Sequence, residues 1–457
     1  MLPTGSRADA AAALAATFRG QLLKPADAGY EDARRVHNGL VDKRPALIAR
    51  CHGVADVVGS LEVARKLGVE VAVRGGGHNV AGRATIDDGL VVDLTPMKGI
   101  HVDPESRTVW AQGGVTWGEL NRETQLHGLA VTGGVVSSTG IAGLTLGGGV
   151  GWLMGKYGLA LDNLRAVDLV TADGKVLRAS KDRELDLFWA LRGGGGNFGV
   201  ATSLEYELHP VGPIIMGGPI VHPIEQSRAL LEFFRESTQS LSDEQTLYAT
   251  LTHAPDGSGK EVAALVASHC GSLEDAESAM GPLKQFAHPI VDAVGPMPYC
   301  QLNSMLDANF PKGALNYWKS SFLTELSDVA IDTMIRCFAR CPTAMGQLLL
   351  EHLHGAVTRV GVSDTAFPHR RDGYNFLVLA QWMQPEKSEA CIAWARETYE
   401  AMQPFFAQGR YVNYLDDDDT GESVAAYGPN YRRLQQIKAR YDPTNFFHMN
   451  QNIRPLV

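Results

Sequence analysis

The chain has 457 residues, of which 45% are hydrophobic and 20% are charged, the proportions of an ordinary globular protein. Its net charge of -10 argues against general binding to nucleic acid or to an anionic membrane. The sequence contains no apolar run near the roughly 18 residues that span a bilayer, and no basic leader. Six scattered cysteines are typical of reduced thiols. We therefore expect a cytoplasmic protein of two or three domains, at about 150 residues each.

The first predicted region, residues 1–210, is rich in glycine. It opens with an alanine-rich helix, and SLEVARKLG forms a second helix among short strand-like runs. Asp173 and Gly174 provide the turn of a predicted hairpin in AVDLVTADGKVLRAS. The other strand-like runs, in chain order, are VEVAVRGG, GLVVDLT, RTVWAQGG and GVATSLEYEL.

The second predicted region, residues 211–409, contains longer units. Helices around EQSRALLEFFRES, LEDAESAMGPLKQF, AIDTMIRCFARC and SEACIAWARETYEAM alternate with strand-like runs such as TLYATLTHA, EVAALVASH, GQLLLEHL and YNFLVLAQWM. This order predicts an α+β fold with a largely antiparallel sheet. The tail, residues 410–457, is rich in Tyr and Asn, and we expect it to return to the first domain.

Several common catalytic motifs are absent. The spacing Gly194-x-Gly196-x-x-Gly199 matches the dinucleotide fingerprint, but a helix-like run precedes it and a strand-like run follows. Because that order is inverted, an NAD site is not expected there. The sequence also lacks a P-loop, a G-x-S-x-G elbow and an H-E-x-x-H zinc motif. Asp416–Asp419 are interpreted as a solvated loop, and Cys337 with Cys341 as core packing, so no metal site is predicted.

Two glycine-rich segments remain, VRGGGHNVAG at residues 73–82 and a longer one at residues 131–164. Glycine allows the backbone to approach a ligand closely, and N–H groups in such loops can bind a pyrophosphate without basic side chains. Two such loops suggest a large ligand lying between them. The polar residue behind the first loop, His78, is then either a cap for the turn or a reagent held against the ligand.

These segments, together with LFWALRGGGGNFGV and the tail YVNYLDDDD…YGPNYRRLQQIKARYDPTNFF…NQNI, resemble the berberine-bridge-enzyme branch of the vanillyl-alcohol-oxidase superfamily. The bacterial hydroxynicotine oxidases are similar. The resemblance covers nearly the whole chain in the right order. It implies a two-part FAD-binding domain of the PCMH type, made of residues 1–210 and 410–457, and an inserted antiparallel-sheet substrate domain covered by helices, residues 211–409.

The resemblance also implies how the flavin is held. His78 matches the histidine that is covalently linked to the flavin methyl group. Many relatives add a cysteine link near the position of Val136, but residues 131–164 contain no cysteine, so we expect attachment of FAD through His78 only. The other flavin contacts that the resemblance implies are Arg74, Gly75, Gly76, Gly77, Asn79, Gly82, Ser137, Ser138, Thr139, Gly140, Gly143, Gly148, Gly149, Val200, Asn413, Asn450, Gln451 and Asn452.

For catalysis, Tyr414 matches the family's usual tyrosine base and Tyr157 a second active-site tyrosine. A tyrosine can act as a base if its pKa, about 10 when unperturbed, is lowered by cations or hydrogen bonds. Alternate residues of a strand share a face, so Glu351 and Leu353 should point away from His352 and His354. The resemblance implies a substrate-binding carboxylate at Glu351, and Gln381 on the next strand is a similar candidate for contact with the substrate.

The implied activity is hydride transfer from an alcohol, hemiacetal or amine carbon of a small molecule to FAD. Dioxygen is the expected acceptor, giving hydrogen peroxide. Two alternatives remain open: a flavin-dependent dehydrogenase that uses another acceptor, and a catalytically silent binding protein on the same fold. The expected oligomeric state is a monomer or a homodimer.

Overall fold

The computed structural model describes residues 4–254, 256–419, 421 and 423–456. Its first sheet has the strand order β1-β2-β4-β3, in which β2, β4 and β3 run parallel and β1 is antiparallel to β2. The helix between β2 and β3 ends at Gly68, whose positive φ of 65° suits a glycine. The elements are α1 Thr4–Ala15, β1 Gln21–Leu23, α2 Tyr30–Arg34, β2 Leu47–Arg50, α3 Val54–Leu67, β3 Val71–Arg74 and β4 Leu90–Asp93.

A second, antiparallel sheet follows, with the order β5-β6-β10-β8-β9. The predicted hairpin is present as β8 and β9, and Gly174 has a φ of 82° in its turn. Short strands β7 and β11 pair separately. The elements are β5 Ile100–Asp103, β6 Thr108–Gln112, α4 Trp117–Thr124, β7 Leu129–Ala130, α5 Ile141–Gly147, α6 Met154–Tyr157, β8 Leu164–Val170, β9 Val176–Ser180, α7 Leu185–Leu191, β10 Val200–Glu207 and β11 His209–Pro210.

The third sheet is large and antiparallel, in the order β15-β12-β14-β13-β18-β19-β17, and β16 also pairs with β12. The elements are β12 Ile214–Pro223, α8 Ser227–Thr238, β13 Gln245–His253, β14 Glu261–His269, α9 Leu273–Gln285, β15 Val291–Asp292, β16 Gly295–Pro298, α10 Tyr299–Ser304, β17 Leu315–Leu323, α11 Asp328–Phe338, β18 Gln347–Leu353, α12 Ala356–Arg359, β19 Gly373–Trp382 and α13 Ser388–Met402.

The two faces of this sheet are covered differently. On β18, Leu348 and Leu350 belong to the apolar core beneath helices α8, α11 and α13. Leu349 and Leu353 point to the opposite face and pack with residues from the glycine-rich segment, such as Trp152. The period of two along a strand explains this division, as expected from the sequence. Glu351 lies on the second face, between the two regions of the chain.

The tail forms α14 Ser423–Tyr427 and α15 Tyr431–Tyr441. Leu434 and Ile437 join the core of the second sheet, so the tail packs on the glycine-rich region. Inside it, buried Lys438 donates to Asp442 at 2.6 Å, and Asp442 accepts the backbone N–H groups of Phe446 and Phe447.

Short 3-10 helices occur at Gln125–His127, Ala160–Asn163, Gly195–Asn197, Ile224–Gln226, Asp307–Asn309, Pro385–Lys387, Gln403–Phe405, Val412–Tyr414 and Gly428–Asn430.

Some sequence predictions differ from this structure. The acidic run Asp416–Asp419 is not a solvated loop, because Asp416 and Asp419 are buried. Lys319 Nζ donates to Asp418 at 2.6 Å and to Asp419 at 2.8 Å, and the backbone N–H of Trp318 donates to Asp416. The run therefore anchors the tail to β17. Within the described residues, no helix is both long and apolar enough to cross a bilayer.

Candidate active site

The two glycine-rich segments meet backbone to backbone. A Cβ atom on Gly76 would lie 2.3 Å from the nitrogen of Gly140, and one on Gly75 would lie 2.9 Å from the carbonyl oxygen of Gly113. These glycines are required by close contacts between protein segments. At Gly143, in contrast, an added Cβ would meet open space, with no described atom within 4 Å.

His78 lies where the two segments meet. Its Nε2 is 2.8 Å from Ser138 Oγ, and its Nδ1 is 3.4 Å from Thr139 Oγ1. Its ring stacks on that of His37, with 3.9 Å between the centroids. Burial, reinforced by His37 and Lys312, lowers the pKa of His78 to about 3. The imidazole is therefore neutral at physiological pH, the state in which a ring nitrogen has a free lone pair.

The Arg74 side chain is engaged by protein groups. Its guanidinium is buried and donates to both oxygens of Asp93, at 3.2 and 2.6 Å, and also to the carbonyl of Ala33. Asp93 ends the neighbouring parallel strand β4, so this pair joins the ends of β3 and β4. The Arg74 side chain stabilises the base of the first loop.

Ser137 is also engaged by protein groups. Asp307, in a 3-10 helix that follows α10, accepts the backbone N–H of Ser137 at 2.8 Å and its hydroxyl at 2.5 Å. Nearby, Asn303 Nδ2 donates to the carbonyl of Gly134 at 2.6 Å. The segment that contains Val136 is thus held by two side chains from α10 and the 3-10 helix after it. Val200, another implied flavin contact, is buried in the core of the first sheet.

The tail closes over the second glycine-rich segment. The Tyr411 hydroxyl accepts the N–H of Gly149 at 2.8 Å and the Nδ2 of Asn413 at 2.9 Å, and Asn413 Nδ2 also donates to the carbonyl of Leu144. Gly148 and Gly149 have φ of 153° and 98°, and a Cβ on Gly148 would meet the Tyr411 ring at 2.7 Å. Tyr411 is not among the residues predicted from the sequence.

Polar atoms at the first loop and in the tail fit a polar ligand such as FAD. Asn79 Oδ1, Gln451 Nε2 and Asn452 Oδ1 are buried without a hydrogen-bond partner among the described residues. Buried polar groups normally have a partner, so these atoms suit a bound group that supplies one. Asn450 instead donates to the carbonyl of Gly196 at 2.9 Å and supports the glycine run at residues 193–196. Two further positions of the first loop require glycine: an added Cβ on Gly82 would meet Val41, and Gly77 has a positive φ of 67°.

A carboxylic acid on the facing sheet meets a phenol from the tail. The Tyr414 hydroxyl donates to Glu351 Oε1 at 3.1 Å, and Asn375 Nδ2 donates to Glu351 Oε2 at 2.8 Å. Tyr248, Glu351, Asn375 and Phe322 are direct partners on adjacent strands, which makes one row across β13, β18, β19 and β17. Trp318 meets the Tyr414 ring edge-on, with 6.2 Å between the centroids.

The pKa values of the two groups in this pair are both raised by burial. Burial raises the pKa of Glu351 to about 7, and the hydrogen bonds from Asn375 and Tyr414 oppose that rise. Burial raises the pKa of Tyr414 well above 10, and the negative charge of the Glu351 carboxylate is the second largest cause of this rise. The condition under which a tyrosine acts as a base, a lowered pKa, is not met by the groups around Tyr414, since its charged neighbour is an acid. Of the two groups, Glu351 is the one whose pKa lies near neutral pH.

The structure places Tyr157 and Gln381 away from this pair. The Tyr157 ring stacks on His209 at 4.0 Å, and its hydroxyl faces the carbonyl of Pro210 at 3.5 Å. Gln381 is buried, and its Nε2 donates to Asn316 Oδ1 at 3.0 Å. It lies six residues along β19 from Asn375, about 20 Å at the usual rise of a strand. Neither side chain joins the Glu351–Tyr414 pair.

Comparison with known proteins shows the family to which the chain belongs. The family described as FAD binding domain matches residues 45–180, and the family described as Berberine and berberine like matches residues 410–454. The chain is 32% identical over 458 residues to (R)-6-hydroxynicotine oxidase of Paenarthrobacter nicotinovorans, covering 96% of this chain and 97% of that protein. This chain belongs to the berberine-bridge-enzyme-like family of FAD-linked oxidoreductases.

Other relatives extend the match. An FAD-linked oxidoreductase of Dictyostelium discoideum is 31% identical over 414 residues, covering 90% of this chain and 89% of that protein. The crystal structure of 6-hydroxy-D-nicotine oxidase from Arthrobacter nicotinovorans superimposes with a TM-score of 0.87 at 31% identity, covering 96% of this chain and 99% of the other. BBE-like 1 of Physcomitrella patens, with a TM-score of 0.90 at 22% identity over 98% of this chain and 99% of the other, shares the fold.

Proposed function

We propose that this FAD-linked oxidoreductase is an oxidase that removes a hydride from an alcohol, hemiacetal or amine carbon of a small molecule, with Glu351 as the base. The observation that carries the proposal is the buried Glu351 carboxyl, held by Tyr414 and Asn375, whose pKa of about 7 allows it to accept a proton at neutral pH. Dioxygen is the proposed acceptor, and hydrogen peroxide the product.

In this proposal FAD, when bound, supplies the two-electron acceptor that the side chains lack. Glu351 takes the proton of the substrate hydroxyl or amine as the hydride leaves the adjacent carbon. Tyr414 remains protonated and orients the carboxylate through its hydroxyl. Trp318 and Leu349, on the same side of the sheet, exclude water from the reacting carbon.

We further propose that His78 is the only covalent anchor of the flavin. The support is its neutral imidazole, its place at the junction of the glycine-rich segments, and the absence of cysteine from residues 131–164. Polar groups of Asn79, Gln451 and Asn452 would hold the dinucleotide. The proposed domains remain residues 1–210 with 410–457 for FAD and 211–409 for substrate.

The free state of all six cysteines supports the proposed location in the reducing cytoplasm. The oligomeric state proposed from the sequence, a monomer or a homodimer, can be measured by light scattering on the purified protein.

Oxidase activity is tested by screening peroxide release from sugars, amines and aromatic alcohols, with anaerobic bleaching of the flavin recorded on the same panel. Peroxide release together with anaerobic bleaching supports the proposal. Bleaching by a substrate without peroxide release in air would identify a dehydrogenase instead. A yellow protein that no compound bleaches would favour the silent binding protein.

A further inference from the structure

His37 is a second histidine at the junction of the glycine-rich segments, and the sequence analysis gave it no role. Its ring lies on that of His78, with 3.9 Å between centroids and 23° between planes. Planar rings at this separation are in van der Waals contact over a face. Ser138 and Thr139 approach the two nitrogens of His78, so His37 supplies the contact with the face of the ring.

The backbone of His37 is fixed from two directions. Its N–H donates to the carbonyl of Gly77 at 2.9 Å, directly before His78 in the chain. Its carbonyl accepts the N–H of Gly313, from the substrate region, at 2.9 Å. The close approach extends to Gly39, where an added Cβ would lie 2.1 Å from the carbonyl oxygen of Gly313.

The next residue, Asn38, adds a side-chain connection. Asn38 Nδ2 donates to the carbonyls of Val80 at 2.7 Å and of Asn316 at 2.9 Å, and Asn38 Oδ1 accepts the N–H of Asn316. Asn316 is also the residue to which Gln381 donates. The segment that contains His37 is therefore rigidly attached to the first glycine loop and to β17 at once.

The charge state of the pair is compatible with stacking. Burial, with a contribution from Lys312, lowers the pKa of His37 to about 4, and the pKa of His78 is about 3. Both rings are neutral above pH 5, so they do not repel each other. His37 is nearly buried, at 9% exposure, which leaves its ring little freedom to move away.

We propose that His37 is a positioning residue for flavin attachment: its ring fixes the plane of the His78 imidazole so that a ring nitrogen faces the flavin methyl carbon. This inference rests on the proposed covalent link through His78. In that reaction one C–H bond of the methyl group and the N–H bond of the imidazole break, and a C–N bond forms. Two electrons and two protons pass through the flavin to dioxygen, which leaves as hydrogen peroxide.

The test compares His37→Ala, His37→Phe and the surface variant His101→Ala with the unchanged protein. Each is purified with its flavin and precipitated with acid, and the flavin that stays on the protein is measured against the total. The melting temperature and total FAD content are recorded as well. Loss of orientation of a reacting group lowers rates by up to roughly a hundred-fold, so we expect His37→Ala to reduce the attached fraction by roughly ten-fold or more.

We expect total FAD and the melting temperature of His37→Ala to stay near those of the His101→Ala control. His37→Phe keeps a planar ring on the face of His78 and should restore most of the attached fraction. An unchanged attached fraction in His37→Ala would overturn the role of His37 and leave the proposed link through His78 standing. Failure of His37→Phe to restore attachment, with normal FAD content, would overturn the role of stacking. A parent protein that binds FAD but releases all of it in acid would instead overturn the link through His78, and this inference with it.

Discussion

The glycine-rich segments and the face of the large sheet contribute to one site by different means. At the segments, backbone contacts such as that between Gly76 and Gly140 hold His78 in place. Its neighbours Ser138 and Thr139 belong to the second glycine-rich segment. On the sheet, Glu351 obtains its partners from β19 and from the tail. The proposed flavin attachment would therefore depend on local loop geometry, whereas the proposed proton transfer would depend on strand register. The two should be separable by mutation.

The largest effect is expected at the glycine-rich segments. His78→Ala removes the only proposed nucleophile for flavin attachment, so all FAD should appear in the supernatant after acid precipitation. Non-covalent FAD should still bind through the polar atoms of the first loop and tail. The measurement is flavin fluorescence of the denatured protein on a gel, with His101→Ala as the matched surface control. Fluorescence that persists in the His78 variant would mean that another residue is attached.

On the sheet, Glu351→Gln should lower the rate of flavin reduction by about 10²–10⁴-fold, because it removes the general base and keeps the shape of the side chain. Covalent flavin should be unaffected, which separates the two regions. Anaerobic stopped-flow bleaching with the best substrate of the panel measures the rate. Glu325→Gln, an exposed residue just after the C-terminal end of β17, is the control. A rate within two-fold of the parent would remove Glu351 from the mechanism.

A smaller effect is expected where the two regions meet. Asp307→Ala leaves the N–H and hydroxyl of Ser137 without their acceptor, and hydrogen bonds to a charged group contribute about 1.5–3 kcal/mol. We expect the free energy of unfolding in urea to fall by that amount, and FAD to be lost more readily. Ser304→Ala, on the same segment, should change little. Equal stability of the two variants would show that Asp307 does not hold the loop.

The smallest effect sharpens the assignment of the base. Asn375→Leu removes an N–H donor that favours the ionised form of Glu351, so the apparent pKa of the reduction rate should rise from about 7. The rate depends on the carboxylate, so it increases with pH, and the whole profile should move to higher pH. Ser320→Ala, on the strand beside β19, should leave the profile in place. A shift to lower pH would contradict the assignment.

Much of the fold is readable from local patterns. The periodic helices α8, α11 and α13, the strands β13, β14, β18 and β19, and the hairpin at Gly174 all match the sequence predictions. Strand β12 was missed because Gly217, Gly218 and Pro219 interrupt its apolar run, and its pairing with β14 compensates for them. Helix α5 was hidden inside a segment interpreted as loop, because glycines flank it and occur within it.

The sequence by itself determined the position of His78 behind its glycines, the lack of a nearby cysteine and the alternation that separates Glu351 from His352. The tertiary structure decided which polar side chains are already occupied: Arg74 by Asp93, Ser137 by Asp307, and the acidic run by Lys319. It also brought His37 onto His78, and Tyr414 onto Glu351, 63 residues away. Such pairings depend on strand register and on burial of charge, and neither is encoded within a few residues of the groups concerned.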